Sequence, residues 1–390
     1  MIETNSQVKV LHIWDTRVDS GLNIDDLLQE TPLLQKSVSR ILVHQGARKA
    51  IPQVDQHHLE EILSPFPKNV FMRQLSHLKF RKLVRREISQ FNPNVLFFHF
   101  GQTAAKFIDL AVKYRKPFVV ALYGHDISVA INQPRWQKKY RTFSKSDGRF
   151  LVLANDVKQR VINLGVDESR ITLYSYPLNI HPYLNIKKRL HEGRFTITIP
   201  GRLVEKKGHI FLFNAIQILK ERNIIVDLIV IGYGGNREHF QKAASDIGVS
   251  EQIQWIDSTE ATIQGKFDQL YSRVLEETDL VVLPCITSSE GDNEAGPALV
   301  LCLAQASGTP VLTTPFRGHE ISITDGITGL LSTEGDSADL ADKIAWCLEH
   351  PIQVSKISEA GKLHVQEVFN QEASTRAIYE IIAQESLRNK

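Results

Sequence analysis

Residues 196–209 read TITIPGRLVEKKGH. An apolar, β-branched run ends at Gly201, cations follow, and Gly208 precedes a helical pattern over Ile210–Lys220. A strand that enters a glycine turn and then a helix is the start of a parallel strand–helix–strand unit. The turn of such a unit lies at the carboxyl edge of the sheet, where ligands bind. The stretch therefore predicts an α/β domain with a ligand site at this turn.

The turn itself carries groups suited to an anion. Arg202 can present a planar fork of donors to phosphate oxygens, and Lys207 a point charge. Gly201 and Gly208 allow the backbone to come close to a ligand, and the N-terminus of the following helix favours negative charge. A solvated basic turn is the alternative interpretation of the same residues.

Short apolar runs alternate with helical patterns along most of the chain. Several runs are apolar on both faces, as are strands of a parallel sheet that is covered by helices. The alternation predicts doubly wound α/β domains. The predicted strands are Val8–Trp14, Ile41–His44, Asn94–Phe100, Pro117–Leu122, Phe150–Ala154, Thr196–Ile199, Val226–Gly232, Ile253–Ile256, Asp279–Pro284 and Thr309–Thr314.

A polar, basic segment over Tyr183–Arg194 interrupts this pattern, and we interpret it as an interdomain linker. We therefore expect an N-terminal domain over 1–185 and a C-terminal domain over 186–370, each of ordinary domain size. Residues 371–390 are charged and helical in pattern. We expect them to form a final helix that packs back on the N-terminal domain.

Composition narrows the class of protein. The length of 390 residues suits two domains, and the net charge of +2 does not indicate a nucleic-acid partner. Cys285, Cys302 and Cys347 lack metal-ligand or redox spacing and lie in apolar stretches, so we expect them in the core. The first residues lack the layout of a signal peptide, and no apolar run approaches the roughly 18 residues of a membrane span. These features predict a cytoplasmic protein.

Two more loops follow predicted strands of the C-terminal domain. Gly232–Asn236 is a glycine loop that suits a phosphate or a ribose, although many such loops are only turns. Ser288–Pro297 is acidic and opens an apolar helix, and a solvated acidic turn is its alternative interpretation. Pro297 suits the first turn of that helix, and Gly308 its end.

Residues 201–208 resemble the GRL…KG motif of the family-4 retaining glycosyltransferases. The resemblance covers about Phe195–Ile382, is looser over the first half, and is strongest toward bacterial exopolysaccharide and lipopolysaccharide transferases. Its other motifs are the strand and G-x-G loop at Ile229–Gly235, the strand ending in proline at Leu280–Pro284, the helix-to-strand stretch at Ala304–Val311 and the G.TGLL turn at Gly326–Leu331.

The resemblance implies the GT-B fold, in which two Rossmann-like domains with doubly wound parallel sheets face a central cleft. It also implies that Arg202 and Lys207 bind the donor diphosphate and that Glu294 lies near the transferred sugar. The family retains the anomeric configuration without a metal ion, so we expect a nucleotide-sugar substrate and no cofactor. The residues expected around the nucleotide are Gly21, Gly201, Gly234, Glu290, Gly296 and Pro297.

One departure from the family pattern concerns the ribose. The family has a second Glu in the acidic segment, but this chain has Cys302 at that place, or Leu303 in the alternative alignment. Neither side chain can accept two hydroxyl hydrogen bonds. We therefore expect the ribose to be held by Glu290, by the backbone, or weakly.

The first half departs as well. Tyr123 stands where the family usually has a His beside the reacting sugar, which leaves His125 as the candidate catalytic residue of this loop. Asp126 suits a helix cap or a group that orients a neighbour. His99 resembles the family's strand end and is either structural or functional. Only Gly21 remains of the usual glycine pair after the first strand.

The stretch Phe66–Phe91 interleaves cations with apolar residues and has Glu87 as its only acid. A basic amphipathic helix can rest on anionic lipid or face a lipid-diphosphate acceptor. The pattern thus predicts peripheral contact with the inner membrane face, and an ordinary surface helix is the alternative.

Together these patterns predict a glycosyltransferase that moves a sugar from a nucleotide sugar to a glycan or lipid-linked acceptor in polysaccharide biosynthesis. The alternative is an inactive GT-B subunit that binds sugar nucleotide or glycan, because the second Glu and the usual His are missing. A nucleotide-sugar epimerase lacks matching acid and base residues here. A nicotinamide dehydrogenase is disfavoured because no G-x-G-x-x-G follows the first strand.

Overall fold

The computed structural model divides into two compact units, one of Met1–Pro177 with Gln371–Lys390 and the other of Leu178–Asn370. Each unit is an α/β fold with one parallel sheet. The structure describes residues 8–15, 37–43, 61–63, 70–123, 125–188, 194–294 and 296–388.

The first unit contains a parallel sheet with the described strands β1 (Val8–Trp14), β2 (Ser37–Val43), β3 (Glu61–Leu63), β4 (Val95–His99), β5 (Phe118–Leu122), β6 (Arg149–Val152) and β7 (Ile171–Leu173). Their order is β3-β2-β1-β4-β5-β6-β7. β4 and β5 are buried at every position, which explains why their sequences are apolar on both faces. The winding reverses between β1 and β4, so their carboxyl ends form a switch point of the kind that binds ligands.

The described helices of this unit are α1 (Val70–Gln90), α2 (Gly101–Lys113), α3 (His125–Ser128), α4 (Pro134–Ser144) and α5 (Asn155–Asn163). Asp126 joins three of them at the carboxyl edge of the sheet. Its carboxylate accepts the Gly101 N–H at the start of α2 over 2.9 Å, and its carbonyl oxygen accepts the Tyr140 hydroxyl of α4 over 2.9 Å. Asp126 therefore caps α2, which precedes it in the chain, instead of the helix that follows it.

The second unit contains β8 (Thr196–Pro200), β9 (Asp227–Gly232), β10 (Ile253–Asp257), β11 (Leu280–Leu283), β12 (Val311–Thr313) and β13 (Leu330–Leu331). The parallel order is β10-β9-β8-β11-β12-β13, which puts the switch point between β8 and β11. Its described helices are α6 (His209–Glu221), α7 (Arg237–Ile247), α8 (Thr259–Ile263), α9 (Phe267–Glu276), α10 (Leu299–Ala306), α11 (Ser337–Glu349) and α12 (Pro351–Val368).

The division between the units falls after Pro177, before the boundary expected at residue 185. The reason is that the segment in between is bonded to the second unit. Tyr183 donates its hydroxyl to Asp268 over 2.6 Å, and the Leu184 carbonyl oxygen accepts from the Lys362 ammonium over 3.1 Å. The last helix, α13 (Gln371–Leu387), is grouped with the first unit.

Three strands were not predicted from the sequence: β3, β7 and β13. They have three, three and two residues, and each lies at an edge of its sheet. Edge strands are paired on one side only, so they need no long apolar run, and segments this short show no periodicity.

A close backbone contact holds the start of α6 against the end of β11. Gly208 has φ +71°, and a Cβ atom there would lie 1.8 Å from the Pro284 carbonyl oxygen. A second contact lies next to it, since a Cβ on Gly232 would lie 1.9 Å from the Gly201 carbonyl oxygen. Glycine is therefore required at both positions by space, and at Gly208 also by backbone conformation.

We predict that Gly208→Ala lowers the free energy of unfolding by about 2–4 kcal/mol, because the methyl group strains φ and displaces Pro284. Gly235→Ala is the matched control, since a Cβ there meets nothing within 4 Å, and it should change stability by less than about 1 kcal/mol. Urea unfolding followed by circular dichroism measures both. Equal losses in the two variants would contradict the proposed contact.

Candidate functional site

The candidate site lies at the switch point of the second sheet, where β8 and β11 end side by side. It is built from the glycine turn (201–208) after β8 and the acidic loop (288–297) after β11. The Glu205 carboxylate joins them by accepting the Ser289 N–H over 3.0 Å and the Ser289 hydroxyl over 2.9 Å. Two segments far apart in sequence thus form one block at the sheet edge.

Two lysines and two carboxylates meet in this block. Lys207 Nζ lies 3.1 Å from Glu294 Oε1, and Lys206 Nζ lies 3.4 Å from the same oxygen. Lys206 Nζ also lies 3.2 Å from Asp292 Oδ2. The lysines are only 6% and 8% exposed. Charges this deep are stable only when they are paired, so each carboxylate fixes the position of an ammonium group.

The pairing sets the protonation states. Burial alone would raise the pKa of the Glu294 carboxyl, but the charges of Lys207 and Lys206 outweigh burial and hold this pKa at about 2. Burial alone would lower the pKa of the Lys207 ammonium, but the Glu294 charge reverses the shift and raises it. Glu294 and Lys207 are therefore both ionised at neutral pH.

Arg202 lies close enough for its charge to act on the pair. It contributes to lowering the Glu294 pKa and opposes the raised pKa of Lys207. The side chain is half-buried, and its guanidinium has no hydrogen bond or ion pair with any described residue. The structure thus brings Arg202, Lys207 and Glu294 together and leaves the guanidinium available for an anion.

The predicted glycines lie where the loops approach one another. Gly201 and Gly234 both have φ +134°, and a Cβ on Gly234 would lie 3.5 Å from the Leu203 backbone. Gly296 has φ +109°, and a Cβ on Gly318 would lie 2.6 Å from its Cα atom. These positions hold the loops together by close backbone packing.

Two other predicted residues of the acidic loop, Glu290 and Pro297, are not among its paired charges. Glu290 is exposed and has no hydrogen bond or ion pair with a described residue. Pro297 was expected in the first turn of the helix, but it precedes it. α10 begins two residues later at Leu299, with Ala298 as its N-cap. Gly308 follows the end of α10 with φ +75°, as predicted for a helix end.

The positions aligned with the missing second Glu are both in the core. Cys302 is fully buried, and burial raises the pKa of its thiol to about 12. Leu303 is 5% exposed. Cys285 and Cys347 are buried as well, which confirms the expectation that the three cysteines are core residues.

Comparison with known proteins bears on this geometry. Residues 184–364, which include the whole charged block, match the model of the family described as "Glycosyl transferases group 1". The chain carries a group 1 glycosyl transferase domain. The family-4 assignment within this group stays a prediction.

Two curated relatives match most of the chain. The amylovoran biosynthesis glycosyltransferase AmsK of Erwinia amylovora is 25% identical over 79% of this chain and 74% of its own length. The putative colanic acid biosynthesis glycosyltransferase WcaL of Salmonella typhimurium is 25% identical over 76% and 72%. The similarity to these relatives therefore extends well beyond the group 1 domain.

Solved structures show the same fold at low identity. HepE of Anabaena, in complex with UDP and glucose, has a TM-score of 0.72 and 16% identity, covering 97% of this chain and 100% of that one. Sucrose-phosphate synthase of Thermosynechococcus elongatus has a TM-score of 0.76 and 15% identity, covering 96% and 98%. The two parallel-sheet α/β units are those of the GT-B fold, as predicted.

The unit preceding the group 1 domain has a neutral hydrogen-bonded chain at its own switch point. His12 Nδ1 lies 3.1 Å from His99 Nε2, and His99 Nδ1 lies 3.0 Å from the Tyr123 hydroxyl. Burial lowers the pKa of His12 to about 4 and that of His99 well below its ordinary value, so neither ring is charged at neutral pH. The predicted His125 is the first residue of α3, but its side chain lies outside the described part of the structure. The predicted Gly21 lies outside the described residues.

No described helix is long and apolar enough to cross a membrane. Over the same residues, no three His, Cys, Asp or Glu side chains are grouped so that they could hold a metal ion.

Sequence reasoning missed Lys206 and Asp292 as members of the charged block. The signal for Lys206 was the lysine pair next to Gly208, of which only the second was assigned. Lys206 belongs to the block because it is buried. An ammonium that is 6% exposed needs a carboxylate, and Asp292 of the acidic loop supplies one.

We predict that Glu294→Gln destabilises the group 1 domain by about 3 kcal/mol at pH 7, because it leaves buried ammonium groups without a shared carboxylate. The folded pKa of about 2 lies below the ordinary value of 4.5, so this contribution is present above about pH 5 and is lost as the pH falls toward 2. The gap between wild type and variant in urea unfolding should therefore narrow over that window. A gap that stays constant from pH 7 to 3 would refute the pairing.

Proposed function

We propose that this glycosyltransferase moves a sugar from a nucleotide-sugar donor to a glycan or lipid-linked acceptor in polysaccharide biosynthesis. The proposal is carried by the Arg202 guanidinium, which has no hydrogen bond or ion pair with a described residue and lies within electrostatic range of the buried Lys207, at the switch point of the second sheet. A planar fork next to a fixed ammonium suits the oxygens of a diphosphate. The named activities of AmsK and WcaL support the polysaccharide assignment.

The proposed chemistry assigns the leaving group to this block. As the bond from the anomeric carbon to the phosphate oxygen breaks, negative charge builds on the nucleoside diphosphate. Arg202 and Lys207 stabilise that charge more in the transition state than before it, which is the requirement for catalysis. Since the protein's own cations supply this stabilisation, we propose a reaction that needs no metal ion.

We propose that the anomeric configuration is retained. The acceptor hydroxyl forms its bond to the anomeric carbon on the face from which the diphosphate departs. Its proton passes to an oxygen of the leaving phosphate, so no strong protein base is required. The neutral rings of His12 and His99 are compatible with such a reaction, because the reaction requires no charged imidazole.

Glu294 has two functions in this proposal. It keeps Lys207 ionised and in place. We propose that it also contacts the sugar attached to the diphosphate, as the resemblance to the family-4 transferases implies. Lys206 contacts the same Glu294 oxygen and also the Asp292 carboxylate. The donor diphosphate then shares Lys207 with Glu294.

The acceptor side is proposed to involve α1. Its exposed side chains include Leu75 and Leu78, at 39% and 61%, followed along the helix by Lys79, Lys82 and Arg85. Leucines and cations exposed on one helix suit peripheral contact with an anionic membrane.

A second candidate is a catalytically inactive subunit that binds sugar nucleotide or glycan. The fully buried Cys302 favours it, because this thiol offers no group to a ribose at the place where the family has its second Glu. The retained cations favour the enzyme, since plain binding has less need of a fixed charge at the leaving group.

We predict that one nucleoside diphosphate among UDP, GDP and ADP stabilises the protein in a thermal-shift screen with EDTA present. At about 100-fold excess over Kd the stabilisation is about 2.7 kcal/mol. UDP is the first to test, because HepE crystallised with it. Arg202→Ala and Lys207→Ala should abolish most of the shift and lower transfer from the matching nucleotide sugar about 10²–10³-fold.

Lys242→Ala is the control for this screen, since Lys242 is an exposed helix lysine paired only with Asp246 and should leave both readouts unchanged. A nucleotide shift that persists in Arg202→Ala would exclude the proposed donor site. A shift without any sugar transfer would support the inactive subunit.

A further inference from the structure

A second cluster of cations lies in the first unit, next to the switch point between β1 and β4. Asp15 follows β1 directly, and its N–H donates to the Thr103 hydroxyl of α2 over 3.0 Å. Lys106, one turn further along α2, donates to the Asp15 carbonyl oxygen over 2.7 Å and lies 3.2 Å from its carboxylate. Lys106 thereby ties the cluster to the ligand-binding edge of this sheet.

The centre of the cluster is the half-buried indole of Trp136 on α4. Lys139 Nζ lies 5.0 Å from the ring centroid, Arg135 Cζ 5.7 Å and Lys106 Nζ 5.8 Å. Each distance is within the range of a cation–π contact. Three cations from two helices therefore surround one aromatic ring.

Only part of the positive charge of the cluster is balanced by the described residues, because Asp15 pairs with Lys106. Helix α4 reads PRWQKKYRTFS and contains no acid. The Lys139 ammonium has no hydrogen bond or ion pair with a described residue, and the Arg135 guanidinium donates among those residues only to the neutral Gln133. Burial lowers the pKa of the Lys139 ammonium, the charges of Lys106 and Arg135 lower it further, and the Asp15 charge opposes the shift only in part.

Gln102 provides a separate observation. It lies one turn before Lys106, on the same face of α2 by helical spacing. The residue is 7% exposed, yet its side-chain oxygen has no hydrogen-bond partner among the described residues. The open atom is an acceptor, so only a ligand group that donates, such as a hydroxyl of the acceptor sugar next to the diphosphate, completes it.

We propose that this cluster is a binding site for the diphosphate group of the acceptor, with Lys139 and Arg135 as its direct ligands and Lys106 positioned by Asp15. The inference rests on the proposed function, because it names the acceptor as a diphosphate. A compact dianion matches three converging cations, whereas the spread charges on α1 match an extended surface. Trp136 adds an apolar face beside the cations, as required by a hydrocarbon chain that leaves the diphosphate.

The test is isothermal titration of the full chain with inorganic pyrophosphate and with farnesyl diphosphate, and with farnesol as the uncharged comparator. The background variant is Arg202→Gln with Lys207→Gln, so that the candidate donor cations do not contribute. Binding in this background is independent of whether the donor site binds a nucleotide, so the two proposals fail separately.

We expect both diphosphates to bind, farnesol not to bind, and Lys139→Gln or Arg135→Gln to weaken binding about tenfold each, the effect of one charged hydrogen bond. Lys113→Gln is the matched control, because Lys113 also lies over an aromatic ring, 5.8 Å from that of Tyr114, but at the far end of α2. Tighter binding of farnesyl diphosphate than of pyrophosphate identifies a lipid-linked source, and equal binding identifies the diphosphate alone. Absence of binding, or an equal loss in Lys113→Gln, overturns the proposal.

Discussion

The charged block of the second unit depends on how closely the backbone after β8 approaches the end of β11. A Cβ on Gly208 would lie 1.8 Å from the Pro284 carbonyl oxygen, so no other residue leaves this distance unchanged. The contact brings Lys206 and Lys207 beneath the loop that carries Glu294. Without it, the lysines would be buried without partners, a state that costs several kcal/mol for each ion. Backbone packing thus comes first, and the electrostatics follow from it.

The charges in the block explain why Arg202 matters. Lys206 and Lys207 are balanced by Asp292 and Glu294, so the buried part is close to neutral before any ligand binds. A diphosphate brings at least two further negative charges. It can be held only if Glu294 shares its lysine, or if a cation outside the pairs takes part. Arg202 meets the second condition, since it lies within electrostatic range of the pair and has no described partner of its own.

The sequence predicted most of the sheet cores because strands that are buried on both faces have to be apolar. β1 was predicted with its observed ends, and β4, β5 and β9 to within a residue at each end. The three missed strands are short edges, whose pairing is decided by neighbours that are distant in sequence. The site was predicted in the same uneven way. Charge and glycine spacing identified the glycine turn, but only the fold shows that Lys206 is buried and that the acidic loop reaches it.

The two switch points treat polar groups in opposite ways, and burial accounts for the difference. In the second unit, opposite charges meet at about 3 Å, so Glu294 and Lys207 remain ionised. In the first unit, His12, His99 and Tyr123 are joined by hydrogen bonds, and burial keeps both imidazole rings neutral. A neutral chain of three groups can reverse the direction of its hydrogen bonds without creating a buried charge. If the Tyr123 hydroxyl donates to His99, then His99 donates to His12; in the reversed state His12 donates to His99, and His99 donates to the Tyr123 hydroxyl oxygen. The orientation of the Tyr123 hydroxyl is therefore coupled to the tautomer of His12, at the edge of the sheet where the family-4 transferases, which this chain resembles, usually have a histidine.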